Sequence, residues 1–249
     1  MRVIEHDHVK DDHVKDDYAV AVPFYDLWHE DGHVPLVREL LPPLLKGVER
    51  SVIEIGAGTG LITRVIAQET PAQIYAVEPS LGMRSVLVNR LAEDPRLLGR
   101  VTVLPCGALD VEVDEPVEAI VMISVLQSFP AEQRAELWRV LARQLQPGGR
   151  LVFNWRERAL PVPGSLEVMG SYAVGRHAYE VAGQVLEAAG ESVTSRFVYR
   201  IRQRGVAISE DEVVVTNHWP AGERLAAELR AAGFDRDAAP EGMEMWRLP

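Results

Sequence analysis

The 249-residue sequence has a single cysteine, Cys106, no long apolar run and no cluster of basic residues. One cysteine excludes an internal disulfide and any zinc cluster built on several thiolates. No apolar stretch approaches the roughly 20 residues that a membrane-spanning helix needs, so we expect no membrane partner. The formal net charge is −11. Because the 26 basic residues are scattered and cannot neutralise successive phosphates, nucleic acid is not an expected partner either.

The first 17 residues are polar and contain the sequence HVKDD twice in succession. Such a tract cannot bury enough apolar surface to offset the entropy of ordering it, so we predict a disordered leader over residues 1–17. The alternative is a metal site made by His6, His8 and His13 with neighbouring carboxylates. The segment has no apolar core typical of a secretory signal, and together with the lone cysteine this predicts a cytoplasmic location.

Two patterns follow along the chain. Residues 18–50 are rich in aromatic and then in helix-spaced apolar residues and end near Pro42-Pro43, which predicts an N-terminal helical arm. From Ser51 short β-branched runs alternate with amphipathic helices, the pattern of a doubly wound α/β sheet, with residues 51–156 as its core. The predicted strands are 52–55, 73–77, 101–104, 119–123 and 150–155.

After the fifth predicted strand the alternation stops. Residues 157–218 contain a Pro- and Gly-rich stretch, a predicted helical piece around 181–189 and two strand-like runs, 192–202 and 212–217. We expect an antiparallel pair inserted here as a lid, because it would lie over the C-terminal ends of the parallel strands, where open α/β sheets bind ligands. Residues 219–249 are expected to return and complete the core sheet.

The strongest local motif is the sequence VIEIGAGTG, residues 52–60, in which a strand leads through a glycine-rich turn into a helix. The glycines allow a sharp turn and close approach of a ligand to the backbone. A dinucleotide fingerprint would need glycine where Leu61 stands, so a pyrophosphate ligand is disfavoured. The carboxylate of Glu54 at the strand end suits a cationic ligand instead.

A second motif, AVEPSLGM at residues 76–83, ends the next predicted strand. The Glu78 carboxylate at that point can accept both hydroxyl protons of a ribose. The two motifs together outline a nucleoside site.

With these motifs and the turn Gln146-Pro147-Gly148-Gly149 before the fifth strand, the sequence resembles the class I S-adenosylmethionine-dependent methyltransferase family over roughly residues 51–155. The resemblance implies a Rossmann-like, mostly parallel seven-stranded sheet with an N-terminal helical arm and an antiparallel lid insertion after the fifth strand. It also implies S-adenosyl-L-methionine as the cofactor and a small molecule as the acceptor.

The same resemblance assigns cofactor-binding positions. They are Glu54, Gly56, Ala57, Gly58 and Gly60 around the methionine half, Glu78 on the ribose, Pro79, Ser80, Met83, Gly107, Ala108 and Leu109 around the adenine, Ser124, Val125 and Gln127 along the methyl-donor channel, and Tyr25 closing over the cofactor. Two structural alternatives stay open, namely that Val125 only covers the core and that Tyr25 belongs to a core-facing aromatic stripe of its helix.

The acceptor side is less sharply defined. The Asn/Asp-Pro-Pro-Tyr motif that the family's adenine- and glutamine-amide-modifying members carry is absent after the fourth strand, so the resemblance disfavours base and protein-amide methylation. Ser124 also lacks the carboxylate that resembling catechol-type enzymes use for magnesium, which predicts that catalysis uses no metal. His29 is the candidate general base and His218 the second. Candidate acceptor contacts are Trp28, His33, Trp155, Arg156, Tyr172, Tyr199 and Trp246. A pocket lined by aromatics with few fixed charges favours an apolar or polycyclic acceptor over a phosphorylated one.

We therefore expect methyl transfer from S-adenosylmethionine to oxygen or nitrogen of a small molecule, a secondary metabolite, by a monomer or homodimer. A protein that keeps this fold as a scaffold or rearrangement catalyst is the alternative. A nicotinamide-dependent oxidoreductase is less favoured because of Leu61.

Overall fold

The computed structural model describes residues 18–249. The N-terminal part consists of the helices α1 (Val22–Glu30), α2 (Val34–Leu40) and α3 (Pro42–Leu45). Each of the three has a proline in its first turn, where the missing N–H would have had no helical partner. The helices bury Phe24, Val34, Val37, Leu44 and Leu45 against the rest of the molecule. Their apolar spacing is therefore what fixes the arm to the core.

The central part alternates strands and helices. Its elements are β1 (Ser51–Ile55), α4 (Leu61–Glu69), β2 (Gln73–Val77), α5 (Leu81–Ala92), α6 (Pro95–Leu98), β3 (Val101–Leu104), β4 (Val117–Met122), a 3₁₀ turn (Leu126–Ser128), α7 (Ala131–Gln144) and β5 (Leu145–Asn154). The chain ends with α8 (Gly222–Ala231), β10 (Asp235–Asp237) and β11 (Met243–Arg247).

Seven strands form one sheet in the order β10-β11-β5-β4-β1-β2-β3. The five strands from β1 to β5 run parallel, whereas β11 is antiparallel to both β5 and β10. Two apolar clusters cover the two faces of the sheet, and the inner residues of β1 and β4 are fully buried. The expected mostly parallel seven-stranded α/β sheet is confirmed.

The register of the parallel strands aligns their carboxyl ends. Ile55 lies beside Val77 on one side and beside Met122 on the other. The glycine-rich turn after β1, Glu78 after β2 and Ser124 after β4 therefore meet at one edge of the sheet.

A second sheet follows β5. It contains β6 (Glu167–Val174), β7 (His177–Ala189), β8 (Ser192–Gln203) and β9 (Val206–His218), paired antiparallel in chain order. We call this four-stranded sheet the cover sheet. Phe24 of α1 packs between the rings of Tyr179 and Tyr199, with ring centres 5.1 and 5.2 Å away, so the arm is wedged between the two sheets.

One element of the cover sheet corrects the prediction. The segment 181–189, expected to be helical, is part of strand β7, and the insertion is a four-stranded sheet rather than an antiparallel pair. Residues such as Ala, Glu and Leu favour helix weakly, and that preference is overridden here because β7 is hydrogen-bonded to strands on both sides. The two runs predicted as strands, 192–202 and 212–217, are confirmed as parts of β8 and β9.

A buried arginine ties the cover sheet to the core. Arg134 of α7, which is fully buried, forms ion pairs with Glu228 of α8 at 2.9 Å and with Glu191 in the β7–β8 turn at 2.8 Å. Glu191 also pairs with Arg224. Two carboxylates around one guanidinium satisfy its fork of donors and hold three elements together.

The leader falls outside the part of the chain that the structure describes. The HVKDD repeat and the histidines His6, His8 and His13 lie in residues 1–17, so the disordered leader and its metal-binding alternative stay predictions. Over residues 18–249 no helix combines the length and the apolar character that a membrane crossing requires.

Candidate cofactor and acceptor site

The turn after β1 can only be made by glycine at several of its positions. Gly56, Gly58 and Gly60 have positive φ angles of 72°, 57° and 88°, a region that side chains with a Cβ rarely adopt. A Cβ at Gly56 would lie 2.4 Å from Cγ2 of Val125. The N–H groups of Gly56 and Ala57 both donate to the carbonyl of Val77, at 2.9 and 3.0 Å. The turn is thereby fixed against the end of β2.

Glu78 links this turn to the start of α5. Its carboxylate is buried and accepts hydrogen bonds from the N–H of Gly58 and of Ser80, both at 2.8 Å. Ser80 caps α5 by accepting the N–H of Met83 at 3.2 Å. A carboxylate offers about four lone-pair positions, so this group can accept several hydrogen bonds at once.

Glu54 lies beneath the turn. It is 2% exposed, and burial raises its pKa to about 8. Its Oε2 atom has no hydrogen-bond partner among the described residues. A buried carboxyl group with an unused oxygen fits a ligand that brings its own positive charge or N–H donors, and the ammonium of an amino acid is such a group.

These residues border a cavity of about 180 Å³, which we call the cofactor cavity. The predicted cofactor residues that line it are Tyr25, Gly56, Gly58, Glu78, Pro79, Met83, Ala108, Ser124 and Val125. Tyr18, Ser128 and Phe129 line it as well, although the sequence analysis did not single them out. The structure thus brings most of the proposed nucleoside-binding residues together.

The other predicted cofactor residues support this cavity without lining it. Ala57 and Gly60 belong to the turn itself, and a Cβ at Gly60 would lie 2.6 Å from Cδ1 of Leu87. Gly107 and Leu109 lie in the loop after β3, where Leu109 packs against the core. Gln127 lines the two neighbouring cavities instead. Glu54 lies in β1 and Ser80 caps α5, and neither of them lines the cavity.

Ser124 occupies the centre of the site. Its φ is +59°, which is uncommon for a residue other than glycine. Asn154 at the end of β5 holds it there, accepting its N–H at 2.6 Å and donating to its Oγ at 3.3 Å, while Gln127 donates to its carbonyl at 2.8 Å. Ser124 lines the cofactor cavity and both neighbouring cavities, so all three meet at this residue.

The second cavity, about 410 Å³, lies between α1 and the cover sheet, and we call it the arm cavity. Among the predicted residues it is lined by Tyr25, Trp28, His29, Ser124, Gln127 and Tyr199. Tyr25 also lines the cofactor cavity, and its hydroxyl lies 3.6 Å from where a Cβ of Gly58 would be. The interpretation of Tyr25 as a residue over the cofactor pocket is thus compatible with its position.

Two polar contacts of Asp26, the residue after Tyr25, hold α1 over the glycine-rich turn. Asp26 accepts a hydrogen bond from the hydroxyl of Thr59 at 2.5 Å and forms an ion pair with Arg90 of α5. The arm is therefore attached to both walls of the cofactor cavity.

His29 is surrounded by aromatic rings from α1 and from the residue that precedes α2. Its ring centre is 4.3 Å from that of Tyr25, 5.0 Å from that of Trp28 and 4.7 Å from that of His33. Burial, with a smaller contribution from His33, lowers the pKa of His29 to about 4. Burial also lowers the pKa of His33. His29 is consequently neutral at physiological pH and able to accept a proton, but it is a weak base.

The third cavity, about 510 Å³, lies between α2, the end of β5 and the segment before β11. The predicted residues that line it are His33, Ser124, Gln127, Trp155, Arg156 and His218. Arg158 and Trp219 line it too and were not predicted. We call it the basic cavity. The Nδ1 atom of His218 lies 3.0 Å from Oγ of Ser192, so that nitrogen is engaged within the cover sheet.

Two predicted acceptor contacts lie elsewhere. Trp246 is 1% exposed and packs in the core under α8, with its ring N–H donating to Glu244 at 3.1 Å. Tyr172 lies on β6 and lines none of the three cavities. The structure therefore places neither residue at the three cavities that meet at Ser124, and their contact with the acceptor stays a prediction. Both are aromatic, and aromaticity alone does not distinguish a core or sheet position from a pocket wall.

No group of three or more His, Cys, Asp or Glu residues within 18–249 is arranged to hold a metal ion. The expectation of metal-free catalysis stays a prediction.

Part of the chain is similar to known methyltransferases. Residues 52–149 match the family model described as a methyltransferase domain. Over 131 residues the chain is 34% identical to an uncharacterized methyltransferase of Mycobacterium tuberculosis, a match that covers 52% of this chain and 49% of that protein. The chain thus spans about half the length of the curated relatives that it matches most strongly.

Solved structures share the fold over nearly the whole chain. The sugar N-methyltransferase KedS8 from Streptoalloteichus superposes with a TM-score of 0.70 at 18% identity, covering 90% of this chain and 92% of that one. The CcbJ methyltransferase from Streptomyces caelestis superposes with a TM-score of 0.75 at 13% identity, covering 93% and 97%. The resemblance to class I S-adenosylmethionine-dependent methyltransferases is confirmed, since residues 52–149 match a methyltransferase-domain model and the chain shares the fold of solved methyltransferases.

Proposed function

We propose that the protein transfers a methyl group from S-adenosylmethionine to nitrogen or oxygen of a small molecule, such as a secondary metabolite. The observation that carries this proposal is the position of Ser124 on the wall shared by the cofactor cavity and two larger cavities. A donor bound on one side of Ser124 and an acceptor bound on the other would meet there. The methyltransferase domain over residues 52–149 supports the same chemistry.

The residues around the cofactor cavity fit S-adenosylmethionine. Glu78 can accept ribose hydroxyls, and the unused oxygen of Glu54 can accept from the ammonium group. When bound, the cofactor supplies a methyl group on a positively charged sulfur. The ring of Tyr25 suits a neighbouring cation, because the face of an aromatic ring attracts positive charge. The chain's main task is then to align donor and acceptor and to exclude water.

The environment of His29 favours nitrogen over oxygen as the methylated atom. A histidine whose pKa is lowered to about 4 is a poor general base for removing the proton of a hydroxyl group. An amine can instead lose its proton to water before it enters the site. The fold neighbour KedS8, described as a sugar N-methyltransferase, is compatible with such an acceptor.

The proposal is tested by calorimetric titration of the protein with S-adenosylmethionine, S-adenosylhomocysteine and NAD. We expect micromolar binding of the first two, about −8 kcal/mol, and no binding of NAD. Gly56→Val should abolish binding because its side chain would collide with Val125. The control is Gly99→Ala, where the nearest atom to an added Cβ is 3.6 Å away. Binding of NAD alone would contradict the proposal in favour of an oxidoreductase.

Transfer itself is tested by release of S-adenosylhomocysteine in the presence of a panel of small amines and alcohols. We expect release with amines that occupy the arm or basic cavity. Cofactor binding without release to any acceptor class would favour the scaffold or rearrangement alternative.

A further inference from the structure

The basic cavity has an unusual charge for this acidic protein. Its charged lining residues are Arg156, Arg158 and Glu241, and Glu241 is engaged in an ion pair with Arg156 at 2.6 Å. The guanidinium of Arg158 is therefore without an ion-pair partner among the described residues that line this cavity, although the formal net charge of the chain is −11. The sequence analysis expected few fixed charges around the acceptor and did not consider Arg158.

Arg158 is held in place by an aromatic ring rather than by an acid. Its guanidinium carbon lies 3.6 Å from the ring centre of Trp219. Across residues 18–249 no carboxylate is within ion-pair distance of it, and burial alone lowers its pKa. Stacking on an aromatic face fixes the plane of a guanidinium while leaving its N–H edge available.

Three acids line the basic cavity or the neighbouring space that Arg158 also borders, and none of them forms an ion pair with it. The carboxylate of Glu157 lies next to Gly222 at the start of α8. Glu191 pairs with Arg134 and Arg224. Glu241 pairs with Arg156. None of the three neutralises Arg158, although each lines the basic cavity or the space next to it.

We propose that the basic cavity is an acceptor subsite in which Arg158, stacked on Trp219, binds an anionic group, a carboxylate or a phosphate, of the molecule to be methylated. The planar N–H edge of arginine matches the two oxygens of either group. Because the cavity reaches Ser124, a molecule anchored at Arg158 extends toward the cofactor cavity. The inference rests on the proposed function and replaces the expectation of an uncharged acceptor.

The test is binding of small anionic probes to the protein loaded with S-adenosylhomocysteine. The probes are phenyl phosphate and phenylacetate, and the neutral control is 2-phenylethanol, all followed by calorimetry. We expect at least one anion to bind with a Kd of about 1 mM and the alcohol not to bind. Arg158→Gln should weaken that binding about tenfold or more, and Arg158→Lys should weaken it less. Arg139→Gln is the matched control, because Arg139 is exposed on α7 and pairs with Glu136.

Each outcome has a defined meaning. Binding of phenyl phosphate alone assigns a phosphorylated acceptor, and binding of phenylacetate alone a carboxylated one. Equal binding by wild type and Arg158→Gln, or no binding of either anion up to about 10 mM, overturns the subsite. The loading step itself measures cofactor binding, so a protein that binds the anions but not S-adenosylhomocysteine would contradict the proposed function and not this subsite. Circular dichroism of the variants verifies that the exposed substitutions leave the fold intact.

Discussion

At the scale of single residues, Glu78 has two tasks at once. It accepts two backbone N–H groups that shape the cofactor cavity, and it faces the position proposed for the ribose. We expect Glu78→Ala to weaken binding of S-adenosylhomocysteine by about 1–3 kcal/mol, the usual loss when a charged hydrogen-bond partner is removed. Calorimetric titration measures the change, with exposed Glu93→Ala as the control. Unchanged affinity would mean that the ribose lies elsewhere.

Substitution of His29 tests whether methyl transfer needs a general base. If it removes a proton from the acceptor, His29→Ala should lower turnover by about two to four orders of magnitude while cofactor affinity stays nearly constant. A fall of less than about threefold would indicate that alignment suffices, as the weak basicity of His29 suggests for an amine acceptor. Steady-state kinetics with an acceptor identified in the panel decides between the two.

The buried position of His29 also predicts a pH effect on stability. Its pKa is lowered from 6.5 to about 4 in the folded protein, so between these values the unfolded chain binds more protons and stability falls as the pH is lowered. The contribution lost between pH 7 and pH 5 is about 1–2 kcal/mol. We expect His29→Gln to lose correspondingly less stability over this interval in urea denaturation. Because each variant is compared with itself at the two pH values, changes in packing cancel. Identical losses in the variant and the wild type would refute the assignment.

At the scale of elements, the ion pairs of Arg134 join α7, α8 and the turn between β7 and β8. Removing this fully buried guanidinium leaves the carboxylates of Glu228 and Glu191 with only the exposed Arg224 as a counter-charge. We therefore expect Arg134→Met to destabilise the protein by about 3–5 kcal/mol in chemical denaturation. The exposed Arg139→Met on the same helix should change stability by less than about 0.5 kcal/mol. A small loss of stability in Arg134→Met would show that water solvates the carboxylates of Glu228 and Glu191 in the variant.

The elements differ in how well the sequence predicts them. Strands β1 to β3 follow from β-branched runs next to glycine-rich or acidic turns, and their predicted bounds agree with the structure to within one residue. Strand β7 was missed because its local composition favours helix. Its signal was the glycines at the hairpin turns, since Gly175 and Gly190 have positive φ angles of 60° and 63° and separate β6, β7 and β8. In this part of the fold the turn residues indicate the strands better than helix propensity does, although the sequence analysis did not use them.

The residues of the candidate site also differ in how well the sequence predicts them. The glycine-rich turn and Glu78 are consecutive in sequence with the strands that place them, so their pattern identifies them. Asn154, Arg158 and Trp219 lie far from Ser124 in the chain, and only the pairing of β5 with β4 and the return of the chain after β9 bring them to Ser124 and the basic cavity. Trp246 lies in the core, and nothing in its local sequence distinguishes a core tryptophan from one in a pocket.

At the scale of the whole molecule, the two sheets should differ in local stability. The inner residues of β1 and β4 are covered on both faces, whereas the first seven residues of β9 are exposed at an edge of the cover sheet. We expect amides of β1 to exchange hydrogen at the rate of global unfolding and those of 206–212 to exchange orders of magnitude faster.

S-adenosylhomocysteine should change this pattern in a defined place. In the proposed site it would contact the folded protein where the arm meets the glycine-rich turn, so exchange should slow most at residues 56–60 and in α1, which Asp26 connects to Thr59. The outer half of β9 should respond least, since it borders none of the cofactor cavity. NAD at the same concentration is the control and should leave the pattern unchanged. Hydrogen exchange followed by mass spectrometry resolves these segments. Equal slowing in β9 and in the glycine-rich turn would mean that the cover sheet and the core open as one unit, and the arm would then have no separate part in retaining the cofactor.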